Sequence, residues 1–373
     1  MNTGKIIVYG ILAVILALAF TACKEEEDTG PVGNLEKWTA VTDNTFGEDD
    51  IIKAIACGNE GGDGYILVAG GTNGKMAYSW DGIEWTAVAD STFFDTSYSY
   101  GSDEERTEII STYAINAIAY GSDVNRFVAV GENSKMAYSD DGIRWTAVAN
   151  SLFAYYINTV AYGNGVNRFV AGGTDGKMAY SDDGVTWTAV ADSTVWQYNN
   201  SLGYPETASI NAIAYGNGKF VAVGSEGKMA YSTDGENWTA VTNNTIWQYT
   251  WAEMPHMANI TGIAYGNGKW VAGSNYHERN IAYSANGENW TAVSSDDSTI
   301  EIPLNTIASG GGRFVASSGG SIAYSTNGIN WTYVDLSSIL GNNFIYAVAY
   351  DGNYAFIVAG SEGKMAYAYW PVK

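Results

Sequence analysis

A chain of 373 residues with 44 glycines, 27 tyrosines, 13 tryptophans and only 5 prolines has the turn and aromatic content of an all-β protein. Acidic residues outnumber basic ones by 40 to 18, for a net charge of −22, which excludes the basic surface that nucleic acids and anionic membranes require. Two cysteines are too few for a disulfide framework, two histidines exclude a multi-histidine metal centre, and no cofactor motif is present, the Gly-x-Gly triplets being hairpin turns.

Residues 1–22 read as a signal peptide. Lys5 supplies a small positive region, and Ile6 to Phe20 is nearly all apolar. That run is about 15 residues, short of the ~20 that a membrane span needs. Thr21-Ala22-Cys23 resembles the bacterial lipobox, although Phe20 stands where a leucine is usual. The resemblance implies acylation of Cys23 and an outer-membrane lipoprotein that meets the membrane only through its anchor. Ordinary signal cleavage beside a stray cysteine is the alternative. Residues 23–34, with Lys24-Glu25-Glu26-Glu27-Asp28 and Thr29-Gly30-Pro31, form an acidic, flexible tether. It is similar to the export signal of surface lipoproteins in the Bacteroidetes, and a plain solvated spacer fits the same residues.

From residue 35 to 373 the chain repeats itself. The unit is clearest over residues 210–241: Ile-Asn-Ala-Ile-Ala-Tyr-Gly, Lys-Phe-Val-Ala-Val-Gly, Lys-Met-Ala-Tyr-Ser-Thr-Asp-Gly and Glu-Asn-Trp-Thr-Ala-Val. Each piece is a short apolar run bounded by Gly, Asn or Asp, which predicts four strands and three turns. The first strand recurs at Ile55, Ile118, Val160, Ile213, Ile263, Ile307 and Val348. The third recurs at Met76, Met136, Met178, Met229, Ile281, Ile322 and Met365. The fourth recurs at Trp38, Trp85, Trp145, Trp187, Trp238, Trp290 and Trp331. A fourth-strand segment, Glu36 to Val41, precedes the first complete unit, and the last unit lacks one. The N-terminal strand therefore completes the C-terminal blade, and the chain closes into a seven-bladed β-propeller of four-stranded antiparallel blades. The strands are apolar on both faces, as stacked blades require. Cys57 occupies a position held elsewhere by Tyr120, Tyr162, Tyr215 and Tyr265, which marks it as a buried residue.

Between the third and fourth strands the sequence runs Ser-x-Asp/Asn-Gly-x-x-Trp, with Asp81, Asp141, Asp183, Asp234, Asn286 and Asn327 each before a glycine. Asp-Gly and Asn-Gly predict two-residue hairpin turns with positive φ at both positions. The motif resembles the Asp-box, or bacterial neuraminidase repeat, of sialidase-like propellers, one residue shorter than the usual box. In that family the box is a folding motif away from the active face, which implies a structural role here. The family's catalytic set is not recognised: Arg126, Arg168 and Arg313 open second strands, Arg144 sits in an aspartate turn, and only Arg106 and Arg279 fall on the other side. Two arginines do not make the triad that holds a sialic acid carboxylate, so no catalytic residue is assigned.

Function is expected where the repeats differ. The loops from fourth strand to next first strand are long at 89–114, 191–209 and 242–259, and they share a face. Thr194-Val195-Trp196-Gln197-Tyr198 matches Thr245-Ile246-Trp247-Gln248-Tyr249, with Tyr204 and Trp251 following. Aromatic rings beside amides suit stacking on sugars, so Trp196, Tyr198, Tyr204, Trp247, Tyr249 and Trp251 are candidate ligand contacts. Val195 and Ile246 align with Phe93 and are expected to pack. His256 and His277 are placed to meet on the same face. Asn116, Asn158, Asn211 and Asn305, with Lys53, Thr261 and Tyr346, are predicted to ring one mouth of the central channel, either binding a ligand or satisfying strand ends. Three readings follow: a monomeric, non-catalytic lipoprotein binding a glycan or a protein partner at the cell surface; a glycoside hydrolase or lyase of unrecognised type; and an assembly scaffold, like the propeller factors that help build photosynthetic complexes.

Overall fold

The structure, a computed structural model, describes residues 37–59, 64–100, 106–149, 152–191, 194–200, 202–242, 245–251, 254–276, 281–293 and 303–369. The expected signal peptide, Cys23 and the tether lie outside the described residues, as do His277 and Arg279.

Seven four-stranded antiparallel sheets form the molecule. Blade 1 runs Ile52–Asn59, Tyr65–Gly71, Met76–Ser79 and Thr86–Ala87, and blade 2 begins at Ile115–Gly121. Blades 3 to 6 begin at Ile157–Gly163, Ile210–Gly216, Ile260–Gly266 and Thr306–Gly310. Blade 7 takes Ile345–Tyr350, Ala355–Gly360 and Met365–Tyr369 from the end of the chain and Thr39–Val41 from its start. The closing register is Thr39 with Tyr367, Ala40 with Ala366 and Val41 with Met365. Trp38 is buried against blades 6 and 7, and the Asn44 side-chain amide donates to the Gly363 carbonyl at 2.6 Å. First strands of neighbouring blades pack against each other all the way round, blade 7 against blade 1 included. The expected closed ring and its displaced strand are both present.

The core lies between blades. One cluster joins Val128 and Val130 of blade 2 to Phe169 and Ala171 of blade 3, and comparable clusters recur around the ring. Second strands such as Phe127 to Val130 are wholly buried. Each such side chain contributes roughly 1.5–3 kcal/mol, which accounts for the unbroken apolar runs. Cys57 is buried as expected, its Sγ 3.1 Å from the Asp351 carbonyl oxygen.

The aspartate turns differ from the expected two-residue form. Only the glycine has positive φ, between 71° and 76°; the preceding Asp or Asn does not. In blade 4 the Ser232 hydroxyl oxygen accepts from Gly235 N–H at 2.8 Å, and Asp234 Oδ1 accepts from Glu236 and Asn237 N–H at 2.9 and 2.8 Å. Trp238 Nε1 donates back to the Gly235 carbonyl at 3.2 Å. The side chain thus closes the turn that a left-handed backbone pair would otherwise have closed. Burial works against the charged form of Asp234, but the Asn237 side chain and these backbone donors outweigh it and hold the carboxyl at about 2. Asp81, Asp141 and Asp183 are lowered in the same balance. The two-positive-φ pair sits instead between first and second strands, at Asn217-Gly218 and Asn267-Gly268.

Candidate functional site

The fourth-to-first loops and the second-to-third turns share one face, opposite the aspartate turns. At its centre the seven first strands line a cavity of about 370 Å³. In six blades a β-bulge falls at the start of the first strand, at Lys53, Asn116, Asn158, Asn211, Thr261 and Tyr346. A bulge re-aims the side chain of its extra residue, and here it turns the amide towards the next blade. Asn116 Nδ2 donates to the Ile157 carbonyl at 3.1 Å, Asn158 to Ile210 at 2.9 Å, Asn211 to Ile260 at 2.9 Å and Asn305 to Ile345 at 3.0 Å. Thr261 Oγ1 donates to the Leu304 carbonyl at 2.6 Å, and Lys53 Nζ donates to Asn116 Oδ1 at 3.1 Å. Of the two roles expected for Asn116, Asn158, Asn211 and Asn305, their nitrogens perform the structural one: they clasp each blade to its neighbour.

Each long loop is a two-stranded hairpin: Phe94–Tyr100 with Arg106–Thr112, Gln197–Asn199 with Pro205–Thr207, and Gln248–Trp251 with Met254–Met257. Trp196 and Trp247 are 0% and 1% exposed. They occupy the place of Phe93: Tyr113 N–H donates to Phe93 O as Ala208 N–H does to Trp196 O and Ala258 N–H to Trp247 O. Aligning Phe93 with Val195 and Ile246 was therefore one residue out of phase. The cause is a single 3₁₀ turn at Thr194–Trp196 and at Thr245–Trp247, which brings the tryptophan inward and half-exposes Val195 and Ile246. The sugar-stacking role expected of Trp196 and Trp247 is corrected: their rings plug the gap beneath each hairpin, against Gly176 and Gly227.

The two matched hairpins flank the blade 4 turn Ser225–Gly227. Tyr198 Oη donates to Glu206 Oε2 at 2.7 Å, and Asn200 Nδ2 donates to Glu206 Oε1 at 2.6 Å. The bond to that carboxylate, helped by burial, pushes the Tyr198 hydroxyl up to about 12. Burial, then the nearby Glu206 charge, raises Glu226, with His256 and Lys228 opposing. Lys228 Nζ donates to the Gln197 carbonyl at 2.7 Å. Tyr276 lies against Tyr249 at 3.7 Å between centroids, and His256 stands beside it at 5.5 Å. Tyr249 thus spends one ring face on its own fold, whereas Tyr204 is 65% exposed at the hairpin tip. The backbone places Trp251 at the end of its hairpin strand. Among the described residues no group of His, Cys, Asp and Glu is arranged to hold a metal ion.

Arg126, Arg144, Arg168 and Arg313 fall where the strand assignment put them. Arg126 and Arg168 pair with Asp140 and Asp182 at 2.7 and 2.6 Å on the aspartate-turn side. Arg144 pairs with Asp141 there at 2.8 Å, and burial pushes Arg313 down to about 10.

What sequence reading missed is the apolar rim of the loop face. Of fifteen exposed large apolar side chains among the described residues, eleven belong to fourth-to-first connections or the first-strand starts they lead into. They are Phe94, Ile109 and Ile110 on the first hairpin, Leu152, Tyr155 and Tyr156 before blade 3, Leu202 and Tyr204 on the second hairpin, Met254 on the third, and Phe344 with Tyr346 entering blade 7. The signal was available: these are large apolar residues in the segments that break the repeat. Grouped exposure of this kind marks an interaction surface.

No protein-family model and no curated protein matches the chain. Solved structures do. YCF48 from Cyanidioschyzon merolae is 17% identical with a TM-score of 0.61, covering 90% of this chain and 98% of that one. A structure of YCF48 bound to D1 peptide is 16% identical with a TM-score of 0.60, covering 92% and 100%. The WD40 repeats of RRP9 give 7% identity and a TM-score of 0.59, covering 92% and 100%. These likenesses establish the fold: the chain is a seven-bladed β-propeller.

Proposed function

We propose that this propeller is a non-catalytic binding protein that holds a polypeptide partner on its loop face. The observation that carries the reading is the concentration of exposed apolar side chains there, eleven of fifteen among the described residues, on hairpins and connections braced by a rigid ring. Lys135 ties the first hairpin to blade 2 through Asp95, and Asn133 Nδ2 donates to the same carboxylate at 3.2 Å. Projecting hairpins with unpaired outer edges also offer backbone donors and acceptors to an extended segment. A structure of the similarly folded YCF48 is described as bound to D1 peptide, which supports the polypeptide class of partner. The buried Trp196 and Trp247 weigh against a glycan. We further propose that Cys23 is acylated and holds the propeller on the outer membrane of the cell envelope as a monomer, and that its aspartate turns are shortened Asp-boxes of the sialidase-like kind retained for folding.

A photo-crosslinking amino acid at Tyr204, on the loop face, is expected to capture a polypeptide in intact cells. The same group at Tyr333, on an outermost strand, is expected to capture none. Equal capture at both sites, or saturable binding of a glycan at the loop face with no captured polypeptide, refutes the reading. Incorporation of a fatty-acid analogue that Cys23→Ser abolishes would support the anchor; incorporation that survives the substitution would overturn it.

A further inference from the structure

On the aspartate-turn face, away from the proposed partner surface, one column of the repeat changes character in two blades. In blades 2 to 6 the second strand opens on a cation: Arg126, Arg168, Lys219, Lys269 and Arg313. Four of them lie over a third-strand tyrosine, Arg126 at 4.9 Å from the Tyr138 centroid, Arg168 at 4.4 Å from Tyr180, Lys219 at 5.1 Å from Tyr231 and Lys269 at 5.4 Å from Tyr283. The same cations reach forward to the turn of the next blade. Arg126 donates to the Asp183 carbonyl at 2.7 Å, Arg168 to Asp234 at 2.9 Å and Lys269 to Asn327 at 3.1 Å, while Lys219 meets Glu288 at 2.5 Å. In blades 2 to 5 the chain thus builds one small device: a cation seated between a tyrosine ring and a turn oxygen.

At the seam between blade 7 and blade 1 the device is present without its cation. Phe356 pairs with Ala368 as Phe127 pairs with Ser139, so Ala355 holds the place of Arg126 and Tyr367 that of Tyr138. Gly184, Gly235 and Gly287 each lie against the Cδ of the cation from the preceding blade, Arg126, Arg168 and Lys219. At Gly82, their counterpart in blade 1, the three nearest atoms belong instead to Ile357 and Leu67. The other blade without a cation is blade 1, and there Ile66 reaches Gly142 and fills the space; the alanine methyl does not extend that far. Tyr369 stands where blade 2 has Asp140, half-exposed, 5.3 Å from Tyr367. Asp81 stands in the blade 1 turn, its Oδ1 accepting from Ile83 and Glu84 N–H at 2.8 Å; burial first, then Tyr367, Asp351 and Asp81, raises the Tyr369 hydroxyl.

We infer that the outer edge of the seam, where Tyr369 is exposed above the buried Ala355, is a binding site for an arginine side chain of a partner polypeptide, its guanidinium lying between the Tyr367–Tyr369 pair and the Asp81 turn as Arg126 and Arg168 lie between ring and turn within the chain. Arginine is preferred to lysine because a planar guanidinium stacks on a ring while donating in its own plane. The net charge of −22 draws such a partner in.

The test is a saturation-transfer NMR titration of the full chain in detergent with acetyl-Gly-Arg-Gly-amide, its citrulline counterpart serving as an uncharged isostere. The arginine peptide is expected to bind saturably and the citrulline peptide at least tenfold more weakly. Ala355→Arg supplies the missing cation from within and is expected to weaken binding at least tenfold. Thr86→Arg, on an exposed outer strand, changes net charge equally and is expected to leave binding unchanged. Tyr369→Ala, which leaves the core untouched, keeps the test open if Ala355→Arg misfolds, and is expected to weaken binding at least fivefold. Equal binding of citrulline, equal effects of Ala355→Arg and Thr86→Arg, or binding indifferent to Tyr369→Ala overturns the site. A glycan that binds here in place of the arginine peptide overturns it as well.

Discussion

Replacing Asp234 by asparagine separates the two things that this carboxylate does. Its Oδ1 closes the blade 4 turn by accepting from Glu236 and Asn237 N–H. Asn286 shows that an amide oxygen can do the same, accepting from Glu288 and Asn289 N–H at 3.0 and 2.9 Å. At pH 7 Asp234→Asn therefore loses only the extra bond from Asn237 Nδ2 to Oδ2, 2.8 Å long, a cost of about 0.5–1 kcal/mol. In acid that disadvantage is expected to disappear. Folding lowers the Asp234 carboxyl from 3.8 to about 2, so the charged form contributes stability that is whole above pH ~4 and is lost as pH falls from there towards about 2. At full strength that is about 2.4 kcal/mol, and screening of a part-exposed group brings it to about 1 kcal/mol. Urea midpoints at pH 7 and at several values from pH 5 to 2, for both proteins, measure the difference directly, and other titrating groups cancel in it. The two curves are expected to converge below pH 4. A gap that stays constant with pH, or a loss above ~2 kcal/mol at pH 7, would refute the account.

Truncating the buried ring in Trp196→Ala is expected to cost about 3–5 kcal/mol in thermal or urea unfolding, whereas Tyr204→Ala should stay within ~0.5 kcal/mol; a neutral Trp196→Ala would show that the hairpin does not need its plug. Asn211→Ala strips the Ile260 carbonyl of its donor and is expected to cost about 1–2 kcal/mol, read from the urea midpoint; no change would mean that the clasps do not hold the blades. Removing residues 1–44 takes away Thr39–Val41 and bares the edge of Met365–Tyr369. Size-exclusion chromatography with light scattering is then expected to show dimers or larger species, and a persisting monomer would contradict the role of the closing strand.

The ring and its seam were legible because the repeat is written in residue types that set strands and turns, and because counting Trp38 among seven tryptophans fixes which end closes which blade. The site was harder. One 3₁₀ turn shifts the phase by a single residue, and that exchanges the buried and exposed places of Val195 and Trp196. Sequence similarity to a neighbouring copy cannot report such a shift. The aspartate turns misled in a related way: Asp-Gly suggests a left-handed pair, yet Ser79, Ser139, Ser181 and Ser232 accept from the turn glycines and remove the need for one. The amides at the channel mouth were placed correctly, but only the bulges show that their nitrogens point sideways to the next blade. The missing cation at Ala355 was visible in principle, as the one small residue in a column otherwise made of Arg, Lys and Ile66. Its meaning depended on knowing that the other four span to the next blade.

The seam also sets the timing of folding. Asn44 and Gly363, which meet across it, are 319 residues apart along the chain. A chain that emerges N-terminus first, from a ribosome or a translocation pore, exposes its closing strand long before blade 7 exists. At about 5–20 residues per second that wait is roughly 15–60 s. Blades 1 to 6 can stack in the interval, each on the one before it. The strand that emerges first is therefore the last to be placed, and its arrival converts an open stack of sheets into a ring.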